Sequence, residues 1–339
     1  MSRGASLLAS ALFVACRGEA PGAGTSTAAS GPAPASASAL VASSAPRSSA
    51  SAAVAATPSA EPPKPTMAAS VESGKLSKLA FEDGAWVGEL ERTPPARVWV
   101  GLASKDQPLA PRARLAHFRI AEQIFPGVVA PTALRALSVA ELSRAADAAT
   151  RKRLEKQARV LGNGTVEACL TLAPSPSLTR VELTRLGEDS PVQAWETSLA
   201  AREPVPEAQR PALAQYQALL VIDYVSGNEA RVSVHRHDKT GRITAAEGNE
   251  AFSPVPKQGA QHDALTRLSR HMTYSKALEE RLTRLERGEL ERALGWGEPP
   301  TLLVTPKQLD ECVERTRSVR RLIAERVKQR GADKALALP

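Results

Sequence analysis

The chain has 339 residues, of which 42% are hydrophobic, 24% charged and only 4% aromatic, the composition of a globular protein whose core rests on Leu, Val and Ala. Its 44 basic and 36 acidic residues leave a formal charge of +8, and no basic run carries the interleaved aromatics that track a nucleic-acid backbone, so nucleic acid is not expected as a partner. The three cysteines, Cys16, Cys169 and Cys312, are too few and too widely spaced for a zinc site or a disulfide framework. Cys169 and Cys312 each lie in an apolar pattern and are expected as buried thiols, with one disulfide between them as the alternative.

Residues 1–16, MSRGASLLASALFVAC, place Arg3 ahead of an apolar run from Ala5 to Ala15. That run has the length of a signal-peptide core and is too short for a stable transmembrane helix. Its end, Phe13-Val14-Ala15-Cys16, resembles a bacterial lipobox, with Phe13 where leucine is usual. The resemblance implies that Cys16 is acylated and becomes the mature N-terminus. Ordinary cleavage after Val14, giving a secreted or periplasmic protein, is the alternative. Arg17, where an aspartate would retain the protein at the inner membrane, implies an outer-membrane lipoprotein. Residues 17–72 are almost all Ala, Ser, Pro, Gly and Thr. Such a segment cannot build a core and is expected as a disordered linker, reaching about 40 Å by random-coil scaling.

A folded domain is expected over residues 75–339. Leu79 to Gly88 reads as two strands about an Asp83-Gly84 turn, and Val98 to Leu102 as a third. Leu115, Phe118 and Phe125 fall at helical spacing over 112–125, stopped by Pro126-Gly127. Ser138-Val139-Ala140-Glu141 is a capping box, predicting one helix toward Leu161. Thr165 to Ala173 and Thr179 to Leu186 read as strands. Glu207 to Tyr224 is a long apolar helix, followed by a hairpin of Arg231–His237 and Arg242–Glu247. Leu278, Leu282 and Leu285 mark a further helix, and Thr305-Pro306-Lys307-Gln308 caps a last long one ending at Gly331. The fold class is therefore α+β in two lobes, a strand-rich one over 75–186 and a helix-rich one over 187–339.

The most informative stretch is Leu220-Val221-Ile222-Asp223-Tyr224-Val225-Ser226-Gly227-Asn228, where an apolar helix ends at an aspartate and an asparagine follows five positions on. Kinases hold a catalytic Asp and a metal-binding Asn at this spacing, the first orienting the acceptor hydroxyl and the second holding magnesium against the phosphates. The same letters also describe an ordinary helix C-terminus. The run from Asp223 to Phe252 resembles the core of the secretory-pathway kinases, the Golgi casein kinase family and its bacterial relatives. Ala116-His117-Phe118-Arg119-Ile120, Gly162-Asn163-Gly164-Thr165-Val166 and the segment from Glu314 to Leu338 extend the likeness over most of 75–339. The resemblance implies a two-lobed kinase-like fold with Asp223 as catalytic base. It implies Asn228 and Glu247 as ligands of Mg or Mn with ATP, and Lys105 as the nearest substitute for the phosphate-binding lysine.

The departures bear on activity. Glu247 stands where the family has a metal-binding Asp, its carboxylate one methylene further out. Ala230 replaces an acidic residue before Arg231, Arg114 takes the approximate place of the glutamate that pairs with the phosphate-binding lysine, and the strand Val98–Leu102 has no such lysine. These losses predict a pseudokinase acting as a binding or scaffold module in the cell envelope, held to the membrane by its lipid anchor and meeting an unknown envelope protein. A working Mg- or Mn-ATP-dependent kinase and a non-kinase envelope binding lipoprotein are the alternatives. His235 and His237 share a strand face at zinc-ligand spacing but have no third ligand, and Ser226 lies outside any nucleophile elbow.

Overall fold

The computed structural model describes residues 71–184, 187, 189–228, 231–246, 248, 251–252, 263–296 and 302–339. Cys16, the 17–70 part of the linker, Ala230 and Glu247 lie outside the described residues. All described residues belong to one compact unit, Pro62–Pro339.

The first half is built on an antiparallel sheet in the order β1-β2-β3-β5-β4. Strands β1 (Leu76–Glu82) and β2 (Ala85–Leu90) form the expected hairpin. Its turn residues Asp83 and Gly84 both have positive φ, 49° and 82°, the primed turn whose twist matches the flanking strands. Strand β3 (Ala96–Leu102) runs into helix α1 (Ala110–Ile124), and then comes β4 (Thr132–Ser138), which the sequence did not announce. Ala133-Leu134-Arg135-Ala136-Leu137 are helix formers, and they become a strand because seven residues pair with β5 (Thr165–Leu172).

The single helix expected from Val139 toward Leu161 is two, α2 (Val139–Ala145) and α3 (Ala148–Gln157). Asp147 starts a second helix inside the run by accepting the Thr150 N–H at 2.7 Å, an N-cap that a continuous apolar reading overlooks. Ser138 caps α2 as expected, accepting from Glu141 N–H at 3.0 Å, while the Glu141 carboxylate turns to Arg135 at 3.6 Å.

The second half holds a smaller sheet of β6 (Thr179–Glu182), β7 (Ser233–Arg236) and β8 (Ile243–Thr244). Because β6 pairs with β7, the chain passes from one sheet to the other between Leu172 and Thr179, ahead of the expected boundary at 186. Helices α4 (Pro191–Ala200), α5 (Arg210–Ser226), α6 (Ala264–Arg270), α7 (Lys276–Arg284), α8 (Arg287–Ala293), α9 (Pro306–Arg330) and α10 (Ala332–Ala335) complete it. Helix α5 is buried on nearly every face from Leu213 onward, and its apolar run forms the axis of the larger core. It stops at Gly227, whose φ of +69° lets its N–H turn back to Asp223 and Tyr224 carbonyls, a conformation that favours glycine. Helix α9 carries the expected capping box of Thr305 and Gln308 with Pro306 at its start.

Helix α1 joins the two halves. Leu115, Ala116, Ile120, Ala121 and Ile124 pack in the core around α5, while a second core lies under the first sheet around Leu79, Leu90, Val98 and Leu137. Cys169 and Cys312 are separate buried thiols, not a disulfide, and burial pushes both up to about 12. Among the described residues no helix is long and apolar enough to cross a membrane.

Candidate functional site

The C-terminal end of α5 sets the centre of the site. Asp223 is completely buried there, on the last turn before the Gly227 cap. Arg231, eight residues on, returns its guanidinium to the same carboxylate: Nε donates to Oδ2 at 2.7 Å and Nη2 to Oδ1 at 2.9 Å. Asn228 also donates from Nδ2 to Oδ1, at 2.9 Å, and its backbone N–H donates to the Asp223 carbonyl at 2.7 Å. The expected neighbours Asp223 and Asn228 are thus together, but they face each other and Arg231.

His117 of α1 closes the cluster from the other side. Arg231 Nη2 donates to its Nε2 at 3.0 Å, which makes that nitrogen the acceptor. Nδ1–H must then donate to Ser226 Oγ at 2.8 Å, since the one Ser226 hydroxyl proton goes to the Ile222 carbonyl at 2.8 Å. Burial, and next the Arg231 charge, lower the His117 pKa to about 3, so the ring is neutral. Gly248 lies against this ring: a Cβ there would stand 2.6 Å from His117 Cδ2.

A second ion pair joins α1 to the sheet. Arg112 of α1 clasps Glu167 of β5 through Nε at 2.8 and 3.1 Å and Nη2 at 3.0 Å. The cation is on the helix and the carboxylate on the sheet, opposite in sense to a sheet lysine meeting a helix glutamate. Arg114, expected in that glutamate's place, instead lies flat on β3. A Cβ on Gly101 would stand 2.3 Å from its Nη1, so the close approach depends on that glycine.

Beside these residues is a cleft of about 680 Å³. Its lining includes Phe81, Trp86, Trp99 and Gly101 from the first sheet, Lys105 from the loop between β3 and α1, Arg114 from α1, Lys156 from the end of α3, and Ala246 and Gly248. The expected nucleotide residue Lys105 is therefore at the cleft, while Asp223 and Asn228 are not part of its lining. Ala246 and Gly248, the chain neighbours of Glu247, do line it. Among the described residues no three His, Cys, Asp or Glu side chains come together to hold a metal. Of the expected metal ligands, Asn228 donates its amide N–H to Asp223 Oδ1 and Glu247 lies outside the described residues; the expected base Asp223 has both carboxylate oxygens engaged by Arg231. His235 packs its ring near Trp99, 6.2 Å between centroids, and burial lowers its pKa; it belongs to no group of three or more metal-ligating side chains among the described residues.

The sequence reading missed Arg231 as the partner of Asp223, His117 as a bridge and Lys156 as a cleft cation. An arginine a few residues past a buried helix-end aspartate, and a lone histidine at a buried helical position, were the available signals.

No protein-family model matches the sequence, and no curated protein matches it. Solved structures do. The structure of hydra Fam20 with sugar superposes with a TM-score of 0.58 at 15% identity, covering 78% of this chain and 89% of that one. The Golgi casein kinase gives 0.57 at 13% identity, over 79% of this chain and 77% of that one. The same kinase with Mn/ADP bound gives 0.56 at 13% identity over the same shares. This chain has their kinase-like fold. In that kinase-like fold the cleft lies between the first sheet with α1 and the segment around Ala246 and Gly248, and the buried Asp223 cluster lies next to it.

Proposed function

We propose that the chain is an exported pseudokinase, a kinase-like fold that binds a ligand or partner without transferring phosphate. The pairing of Asp223 with Arg231 carries this reading. A general base must come within hydrogen-bond reach of the proton it takes. Asp223 has no exposed surface, and its two oxygens already accept from Arg231 and Asn228. The position before Arg231, where the family resemblance implies an acidic residue, is Ala230. Phosphoryl transfer depends almost wholly on positioning and charge, and Asp223 instead spends its charge on holding α5 to the strand that follows.

The Golgi casein kinase structure with Mn/ADP supports a nucleotide, with Mn or Mg, as a ligand class for this fold. On this chain it would meet Lys105, Arg114 and Lys156 in the cleft, with Glu247 as the remaining acidic donor for a metal. Titrating ATP into the full-length chain with and without Mn tests this. The reading expects binding that survives a chelator. Binding that requires Mn and disappears in Glu247→Ala would speak for a working metal site instead.

The signal-like segment, its lipobox-like end at Cys16 and the Ala/Ser/Pro-rich linker support export with an outer-membrane lipid anchor and a partner in the envelope. Metabolic labelling with palmitate reads this directly: label is expected on the chain and is expected to vanish in Cys16→Ser. An unlabelled chain released into the medium would point to plain secretion.

A further inference from the structure

We infer that the first half of the fold carries a membrane contact of its own, a basic and apolar surface on α3 and the loop after it that fits an anionic lipid bilayer. The inference lies outside the cleft and takes from the export reading only that a membrane is near. Residues 148–164 hold five cations, Arg151, Lys152, Arg153, Lys156 and Arg159, against one carboxylate, Glu155. All five are exposed, and none makes an ion pair among the described residues. Arg153 lies over the Phe81 ring, 3.9 Å from its centroid, and Lys156 reaches the cleft. The outward surface is therefore carried by Arg151, Lys152 and Arg159, on the side of α3 away from its buried residues Thr150 and Leu154. The helix dipole favours cations only in the last turn, which accounts for Lys156 but not for Arg151 and Lys152.

An apolar patch continues from these cations. Arg159 runs directly into Val160 and Leu161, 54% and 38% exposed, and Val139 beside them is 40% exposed. One hydrogen-bonded loop holds the three together. Leu161 N–H donates to the Thr165 carbonyl at 2.8 Å, Gly164 N–H to the Leu161 carbonyl at 2.9 Å and Val139 N–H to the Gly164 carbonyl at 3.1 Å. They are half of the six large hydrophobics exposed among the described residues, a concentration and not the single scatter ordinary for surfaces. Cations beside aliphatics at a loop tip match a bilayer interface, where headgroups meet the charge and the acyl boundary takes the aliphatics. A nucleic acid would need aromatic platforms, and residues 148–164 have none. The linker over 17–72 leads into this same half of the fold, and its reach of about 40 Å keeps the surface near an anchoring membrane.

The test is co-sedimentation of the full-length chain, carrying Cys16→Ser to remove the acylated residue, with lipid vesicles. Phosphatidylcholine vesicles register whatever the apolar N-terminal run binds, and added phosphatidylglycerol reads the surface as an excess. That excess should fall as salt rises. Arg151→Gln, Lys152→Gln and Arg159→Gln together should weaken it by about a hundredfold, about fivefold per cation. Val160→Ser with Leu161→Ser should weaken it by about tenfold. No excess on anionic vesicles, or an excess untouched by the triple variant, overturns the inference. An excess that needs the cations but not Val160 and Leu161 overturns it too, and points to an acidic protein as the partner. Palmitate labelling of the native chain is independent of this result: its failure would overturn the anchor and leave the surface standing.

Discussion

Arg231 grips both carboxylate oxygens of Asp223, at 2.7 and 2.9 Å, with the acid wholly buried and the guanidinium nearly so. The residue that spacing alone marks as a catalytic base is therefore the anchor of a buried ion pair. Removing one partner of such a pair strands the other charge, at a cost of about 3–5 kcal/mol. Arg231→Met should lower unfolding free energy in urea by that amount. A loss below about 1 kcal/mol, the worth of an exposed pair, would mean that Asp223 does not depend on Arg231.

His117 makes stability depend on pH. Its folded pKa, near 3, lies below the ordinary 6.5 because burial and Arg231 disfavour the cation. Protons therefore bind the unfolded chain more readily, and the group's contribution is full above pH 6.5 and is lost as pH falls toward 3. The slope is about 1.4 kcal/mol per pH unit in that window. Urea titrations from pH 7 to pH 4 should show this slope in the native chain and lack it in His117→Gln; equal slopes would contradict the account.

Cys169 and Cys312 should resist thiol reagents in the folded protein, since each thiol is buried and pushed up to about 12. In a Cys16→Ser background, a chromogenic disulfide reagent should count no fast thiols before denaturation and two after. Two non-reactive sulfurs even in denaturant would indicate a disulfide.

Gly101 lets Arg114 lie flat on β3. Gly101→Ala puts a methyl where the guanidinium sits, and the flexible end of the side chain must move away. ATP affinity should fall by about three- to tenfold, with the circular dichroism spectrum unchanged. Unchanged affinity would remove Arg114 from the binding set.

What was legible in the sequence was whatever local signals determine. The Asp83-Gly84 turn, the strand Val98–Leu102 and the capped helix from Thr305 to Gly331 follow from residues within a few positions of each other, and they stand as expected. Strand β4 does not, because Ala133 to Leu137 prefer a helix and are overruled by pairing with β5. The break at Asp147 was hidden by reading Ser138 as the only cap. Asp223 and Asn228 are close together as their spacing implies, but the direction in which Asp223 faces is fixed by Arg231 and by His117 on α1, far away in sequence. Burial of that kind has no local signature, so a motif can be located from sequence while the partners of its side chains cannot.

The most direct test of the central claim is turnover by the full-length chain supplied with ATP and Mn, alongside Asp223→Asn and a thermal melt of each. The account predicts no phosphate transfer to the chain itself or to added protein acceptors, and an Asp223→Asn variant that differs from the native chain in its melting temperature. Metal-dependent transfer by the native chain, abolished in Asp223→Asn while the melting temperature stays the same, would contradict it and make Asp223 a catalytic residue.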